Sequence, residues 1–328
     1  MLKKTNRYRK WFRPFLLALV LFMPPMPGHA QSYKPDMQAL SDNGERLAVL
    51  DNGMLRLRFF DAVNRKLLWE QPLPEEGQAQ QKPKVLALSP GGQAVYLETE
   101  TGVYLFGAEK GELFQVYRGM HPRQFALADS AAGTILAAYL DVTDSQVSAT
   151  SLIFHNATTG TILTRADKVI RSFYLHPSGA LASYRGQYEQ PVILNLFGGK
   201  ETPVNVDAVV SAVSGSGKLA LLNDRHFYDR LLHIRNGSQI GEEKRLPKYH
   251  HAFFSPDEKF LLMDCATEIL VYDTADFAHV VSISKKPLKV EFDAKGELEA
   301  VTPRYPLGLL RSLSPEYQHQ MDKEFNAL

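Results

Sequence analysis

The chain has 328 residues and a formal net charge of +1, with 45% hydrophobic and 10% aromatic residues, a composition typical of globular proteins. The first thirty positions hold six Lys and Arg residues and no acid, so residues 31–328 carry 31 basic against 36 acidic residues, a net charge of −5. That charge argues against nucleic-acid binding, and one cysteine excludes a disulfide framework or a multi-cysteine metal site.

The first thirty residues have the pattern of a secretory signal peptide. Basic residues precede the nine-residue apolar run Phe15–Met23, the breaker-rich stretch Pro24–Pro27 follows, and Gly28–Ala30 supplies small residues for a cleavage site. A membrane-spanning helix, the alternative, needs about 20 apolar residues. We therefore expect cleavage after Ala30 and a periplasmic or secreted protein with no integral membrane span.

A short pattern of apolar run, turn and second apolar run recurs seven times along the rest of the chain. Its turns begin at Ser41, Ser89, Asp129, His176, Ser214, Ser255 and Asp293. The steps between them range from 38 to 48 residues with a mean of 42, and a four-stranded propeller blade takes about 40–45. The sequence thus predicts an all-β protein in which residues 31–313 form a single seven-bladed β-propeller and residues 314–328 form a C-terminal tail.

A third and a fourth strand follow within several copies. The predicted pairs are Leu55–Phe60 with Lys66–Trp69, Val103–Phe106 with Leu113–Tyr117, Leu152–His155 with Thr161–Thr164, and Ile269–Tyr272 with His279–Ile283. Alternation of period two and enrichment in β-branched and aromatic residues favour strands over helices. A closed ring leaves no open sheet edge, whereas two β-sandwiches, the other architecture considered, would not produce seven evenly spaced copies.

The last blade is predicted to be completed from elsewhere in the chain. Its expected strands are Leu288–Phe292, Glu297–Thr302 and Leu307–Leu313. Because the tail after residue 313 does not have a strand pattern, we expect Gln31–Lys34 at the mature N-terminus to supply the outer strand.

Several turn phrases resemble those of a known family. Leu88–Gly92, Phe254–Lys259 and Val271–Ala275 are similar to the repeats of WD40-like and YVTN-type seven-bladed propellers. Phe60–Ala62, followed by Leu68–Glu70, resembles the repeat of quinoprotein-type propellers. The resemblance covers about residues 37–313 and implies the fold, but the Trp-Asp and Gly-His signatures of true WD40 repeats are absent and only the first blade has a Trp.

The sequence contains no recognisable catalytic set. Ser282–Lys285 matches an S-x-x-K pattern but lies on a predicted outer strand, and Cys265 is expected to be a small buried residue of the strand Phe260–Cys265. His226, His233, His250 and His251 cluster in sequence, and partly buried, hydrogen-bonded histidines are the preferred interpretation. We therefore expect no cofactor, no metal and no enzymatic activity.

The unequal loops are all predicted to lie on one face of the propeller. They include Asp141–Ala149 in blade three, and Arg and Tyr, the residue types enriched in binding hot spots, concentrate in the loops of blades four, five and seven. The candidate binding residues are Arg185, Tyr188, Arg225, His226, Tyr228 and Tyr305. The favoured function is a non-catalytic module that binds a protein or another envelope macromolecule, and the alternative is an exported lactonase- or oxidoreductase-like enzyme with a site in the central funnel.

Overall fold

The computed structural model describes residues 34–51, 56–73, 82–144, 147–167, 169, 173–186, 190–204, 207–224, 226–255, 257–293 and 295–303, and for 141–144 and 147–149 it describes only the backbone. These residues form 26 β-strands and no helix. The strands of the first three sheets are β1 (Met37–Leu40), β2 (Arg46–Asp51), β3 (Arg56–Asp61), β4 (Lys66–Pro72), β5 (Pro83–Leu88), β6 (Ala94–Thr99), β7 (Gly102–Gly107), β8 (Leu113–Arg118), β9 (Gln124–Ser130), β10 (Gly133–Asp144), β11 (Val147–Asn156) and β12 (Thr161–Asp167).

The second half of the chain continues in the same way. Its strands are β13 (Tyr174–Leu175), β14 (Leu181–Arg185), β15 (Pro191–Asn195), β16 (Glu201–Pro203), β17 (Ala208–Val213), β18 (Leu219–Asp224), β19 (Asp229–His233), β20 (Gln239–Lys244), β21 (Tyr249–Phe254), β22 (Phe260–Cys265), β23 (Glu268–Asp273), β24 (His279–Ser284), β25 (Lys289–Phe292) and β26 (Leu298–Thr302).

Consecutive strands pair in order, so the chain forms one antiparallel sheet after another. The described residues give six sheets of four strands, numbered 1 to 6 in chain order, and a seventh sheet of β25 and β26. The first strands of neighbouring sheets contact each other, as β1 contacts β5 and β17 contacts β13 and β21. The first strands are therefore innermost and the fourth strands outermost, which is the arrangement of a β-propeller.

Apolar side chains from adjacent sheets form the core. Phe59 and Trp69 of sheet 1 stack with ring centroids 5.1 Å apart and share a cluster with Tyr104 and Phe106 of sheet 2. Comparable clusters join sheets 2 and 3, 3 and 4, 4 and 5, and 5 and 6. Burial between sheets is the main source of stability, because each two-sided sheet has no other way to remove its apolar faces from water.

The first and last sheets also pack against each other. The rings of Phe60 and Phe292 lie 6.0 Å apart, and Arg58 Nη1 donates a hydrogen bond of 2.6 Å to the carbonyl oxygen of Gly296. This contact brings sheet 7, the last one described, against sheet 1, as the closed ring of a propeller requires.

Most predicted strands agree with the structure to within a few residues, as Phe260–Cys265 agrees with β22. The prediction of a loop at Asp141–Ala149 was wrong. Here β10 and β11 continue as a two-stranded ribbon whose register runs from Asp141↔Thr150 to Asp144↔Val147. The neighbouring strands do not follow, since β9 pairs with β10 only as far as Tyr139.

Two predictions for the last sheet fall on residues that are not described. Its first two predicted strands correspond to β25 and β26. The third, Leu307–Leu313, and the N-terminal strand at Gln31–Lys34 lie outside the described residues, apart from Lys34, which is not in a strand. In the described part of the chain, no helix is long and apolar enough to cross a membrane.

Candidate functional site

Antiparallel pairing divides the loops between two faces. The link face carries the loops between second and third strands, such as Asp224–Tyr228, and the segments between sheets, such as Arg245–Lys248. The turn face carries the turns between first and second strands, such as Ser41–Gly44, and those between third and fourth strands.

The turn face is tied together around the axis by hydrogen bonds between neighbouring turns. The Asp42 amide donates to the Pro90 carbonyl (3.1 Å), and the Gly91 amide donates to Asp129 Oδ2 (2.6 Å). Farther around, the Ser216 hydroxyl donates to Glu258 Oε2 (2.8 Å). These polar groups of the turns thus connect neighbouring sheets on the turn face.

On the link face, hydrogen bonds to Asp224 organise the loop Asp224–Tyr228, between β18 and β19. Asp224 Oδ1 accepts hydrogen bonds from the amides of His226 (2.8 Å) and Tyr228 (3.0 Å), and Oδ2 accepts from Arg230 Nη2 (3.1 Å). Aspartate suits this position because its short carboxylate reaches amides two and four residues on. The amides of Tyr228 and His226 and the charge of Arg230 lower the pKa of Asp224 despite a contrary effect of burial.

This loop presents Phe227 to solvent. The Phe227 side chain is 75% exposed, the largest exposure among the large hydrophobic residues of the described chain. Its φ of 64° lies in the left-handed region, which a bulky residue adopts only when its surroundings hold it there. The Phe227 amide donates to the Asp224 carbonyl (3.1 Å), so the strained conformation belongs to the Asp224 hydrogen-bond network.

Charged and aromatic groups hold the residues that follow Phe227. The Arg245 guanidinium lies over the Tyr228 ring, 4.7 Å from its centroid, in a cation–π arrangement. Arg230 also forms an ion pair with Glu243, with Nε 2.9 Å from Oε2. The loop is thereby attached both to the outer strand β20 and to the segment that leads to sheet 6.

A buried polar network supports the base of the loop. Asp229 is 1% exposed, and its Oδ1 accepts hydrogen bonds from the Tyr249 hydroxyl (2.8 Å) and from Asn223 Nδ2 (3.1 Å). Ser211 Oγ lies 3.0 Å from the same hydroxyl. Burial raises the pKa of Asp229, and the hydrogen bonds from Asn223 and Tyr249 oppose that shift only in part. The network joins sheets 5 and 6 directly beneath the exposed loop.

The structure brings together some of the candidate residues and assigns a different contact to one. His226 and Tyr228 flank Phe227 in the same loop, and His226 is exposed. Arg185, in sheet 4, forms an ion pair with Asp207 (2.7 Å) in the segment leading to sheet 5, so its guanidinium contacts the next sheet of the same protein. Tyr188, Arg225 and Tyr305 lie outside the described residues.

Phe227 was not among the candidates. An apolar residue between polar neighbours in a predicted loop was the available indication, but composition does not reveal whether such a side chain turns inward or outward. The exposure of Phe227 follows from the Asp224 hydrogen bonds and the positive φ, which are features of the folded structure.

Cys265 and His250, which were considered as chemical groups from the sequence, both lie in β-strands. Cys265 is buried in β22 as predicted, and burial raises the pKa of its thiol, which disfavours the nucleophilic thiolate. His250 lies at a register shift of β21, where the ladder passes from Tyr249 to His251. Over the described ranges, no three His, Cys, Asp or Glu side chains converge as metal ligands.

Comparison with known proteins gives a structural similarity but no family. No protein-family model matches the chain, and no curated protein matches it. Among solved structures, it is similar to Saccharomyces cerevisiae Sqt1, with 12% sequence identity, coverage of 78% of this chain and 76% of that chain, and a TM-score of 0.49.

Proposed function

We propose that the protein is a non-catalytic β-propeller module that binds a protein partner through its link face. The observation that carries the proposal is the Asp224–Tyr228 loop, which holds Phe227 in a strained conformation and 75% exposed. Strain and an exposed aromatic side chain both disfavour the free protein in water. A partner that covers Phe227 recovers the lost burial, which gives the arrangement a physical purpose.

Neighbouring side chains suit the same role. Tyr228 and Arg245 offer an aromatic ring and a guanidinium beside Phe227, and Tyr and Arg are enriched among residues that dominate binding energy. His226 adds an exposed imidazole. Because hydrogen bonds to Asp224 already hold His226, Phe227 and Tyr228, a partner pays less entropy to order them.

The experiment compares two exposed phenylalanines on opposite faces. Phe227→Ala removes the link-face side chain, and Phe197→Ala removes one that is 51% exposed in the turn between β15 and β16 on the turn face. Immobilised wild-type protein and both variants are cross-linked in an extract of the source cells, and bound proteins are identified. We expect Phe227→Ala to lose about 2 kcal/mol of binding, and with it the specific partner, while Phe197→Ala retains it.

Both variants should keep the wild-type melting temperature, since exposed side chains contribute little to stability. Loss of the partner with Phe197→Ala but not with Phe227→Ala would assign binding to the turn face and refute the proposal. Turnover of substrate by the purified protein would instead favour the exported enzyme considered from the sequence.

We further propose that the ring has seven blades and that the protein is exported after cleavage behind Ala30. The support is the sevenfold turn pattern and the basic, apolar and small-residue order of positions 1–30. N-terminal sequencing of protein from the source cells should begin at Gln31, and an intact N-terminus would contradict export.

A further inference from the structure

Four of the seven described first strands carry a basic residue where they begin on the link face. Lys84 is the second residue of β5, Arg123 and Lys248 immediately precede β9 and β21, and Lys289 opens β25. All four are exposed. We call these four residues the basic rim, since they lie around the link-face mouth of the central axis.

The segments that approach the axis add further positive charge. Lys244–Lys248 reads Lys-Arg-Leu-Pro-Lys and Lys285–Lys289 reads Lys-Lys-Pro-Leu-Lys, so two successive links share one pattern at a spacing of 41 residues. In both, the last Lys is a member of the basic rim. Arg245 and Lys286, the second residue of each segment, are also exposed.

Several of the described acidic residues near the same mouth have basic partners. Asp207 pairs with Arg185 at 2.7 Å, and Asp264 contacts Lys285 Nζ. Glu98 is buried, with His121 Nδ1 3.6 Å from its Oε1. Two other described acidic residues there are exposed: Asp36 immediately precedes β1, and Glu100 lies, like Phe227, in a loop between second and third strands. The described charges at the starts of the first strands are thus mostly positive, although residues 31–328 have a net charge of −5.

We propose that the basic rim binds an acidic segment of the protein partner, laid across the mouth of the axis beside Phe227. This inference rests on the proposed function and names the chemistry of its partner. Like charges around a concave mouth focus the electrostatic field and attract the opposite charge. An acidic peptide suits this surface better than nucleic acid, because the cations form a small ring beside an exposed aromatic side chain in an otherwise acidic protein, not an extended stripe.

The test uses a fluorescein-labelled peptide of ten Asp and Glu residues and measures anisotropy at low and at physiological salt. The double variant Lys248→Glu with Lys289→Glu reverses two charges of the basic rim. The matched control, Lys110→Glu with Lys295→Glu, reverses two exposed charges on the turn face. We expect wild-type binding to weaken with salt, the rim variant to bind roughly tenfold more weakly or worse, and the control to bind like wild type.

Three results would overturn the inference: no binding of the peptide at low salt, equal weakening by both double variants, or tighter binding of a twelve-nucleotide single strand or of phosphatidylglycerol vesicles than of the peptide. Thermal melts check that each variant is folded. If the peptide fails to bind while partner capture still depends on Phe227, the acidic partner is refuted and the link-face module stands. If capture does not depend on Phe227, the module itself is refuted.

Discussion

Two aspartates five residues apart in sequence show how local surroundings set opposite electrostatics. Asp224 accepts two loop amides and faces Arg230, which lowers its pKa, whereas Asp229 is almost fully buried, which raises its pKa. The first is stabilised as a carboxylate that shapes the loop. The second is held in a polar network at a cost that increases when it ionises.

The pH dependence of stability should separate the two residues. Because the folded-state pKa of Asp224 lies below its ordinary value of 3.8, its stabilising contribution is present above that value and disappears as the pH falls through the folded-state pKa. Asp224→Asn should therefore lower the melting temperature by about 2 °C or more at pH 7, and the difference should shrink below pH 4.

Asp229→Asn is the opposing comparison. A raised folded-state pKa stabilises the protein at low pH, and this contribution is lost as the pH rises from 3.8 through the folded-state pKa. The melting temperature of Asp229→Asn relative to wild type should thus improve as the pH rises. Melts from pH 3 to 8 measure both trends, and parallel curves for the two variants would show that the assignments are wrong.

At the scale of the strands, a register shift recurs between the third and fourth strands of the sheets. It occurs in five of the six four-stranded sheets, at Phe59/Phe60, Leu105/Phe106, Phe154/His155, Asp229/Leu231 and Val271/Tyr272. A bulge increases the local twist of a sheet. Its repetition indicates that the outer strands are twisted in a similar way around the ring.

Gly241 lies in β20, within the bulged pair of sheet 5, and its substitution should be costly. Its φ is 64°, and an added Cβ would lie 2.0 Å from the Asp276 carbonyl oxygen of the neighbouring sheet. Gly241→Ala must therefore displace backbone. Gly237→Ala is the control, because Gly237 has a similar φ of 67° and nothing within 4 Å of an added Cβ.

We expect Gly237→Ala to cost about 1 kcal/mol for the left-handed conformation alone, and Gly241→Ala to cost clearly more. Denaturant unfolding gives both free energies. Equal losses would mean that the backbone approach between sheets 5 and 6 is not constrained.

The turn pattern made the strands predictable, but it does not specify their lengths or their loop conformations. β22 was predicted at Phe260–Cys265 because turn residues end its alternating run on both sides. The run Asp141–Ala149 was mistaken for a loop because its polar composition hides a ladder that is formed by backbone hydrogen bonds.

The candidate site was predictable only in position. Arg and Tyr in unequal loops led to the Asp224–Tyr228 loop, where His226 and Tyr228 are found. The ion pair between Arg185 and Asp207 forms only where two sheets meet, and the exposure of Phe227 depends on its backbone conformation. Neither feature can be read from a local sequence pattern.

At the scale of the whole molecule, the ring is joined where sheet 7 meets sheet 1. The guanidinium of Arg58 lies 5.5 Å from the ring centroids of both Phe60 and Phe292, and it donates a hydrogen bond to Gly296. One side chain thus connects the two ends of the succession of sheets.

Arg58→Leu should lower the free energy of unfolding by about 2 kcal/mol, since a charge-assisted hydrogen bond and two cation–π contacts are lost. Arg56→Leu, two residues earlier in β3, removes only an exposed ion pair with Glu70 (2.8 Å) and should cost less than about 1 kcal/mol. Equal effects in denaturant unfolding would show that the junction of sheets 1 and 7 does not depend on Arg58.

The same junction has a consequence for how the protein reaches its native state. The contacts of sheet 7 with sheet 1 join residues up to 238 positions apart, as from Arg58 to Gly296, whereas the apolar clusters between the other sheets join neighbours along the chain. Each sheet can form and dock on the preceding one as soon as it is made, but this contact must wait until the remaining sheets are in place. Doubling the length of such a loop adds only about 0.6 kcal/mol of closure entropy. The long separation therefore postpones this contact but costs little free energy. The molecule is thus a series of locally folded sheets whose last contact to form joins sheets 1 and 7. Unfolding should begin with the loss of that contact.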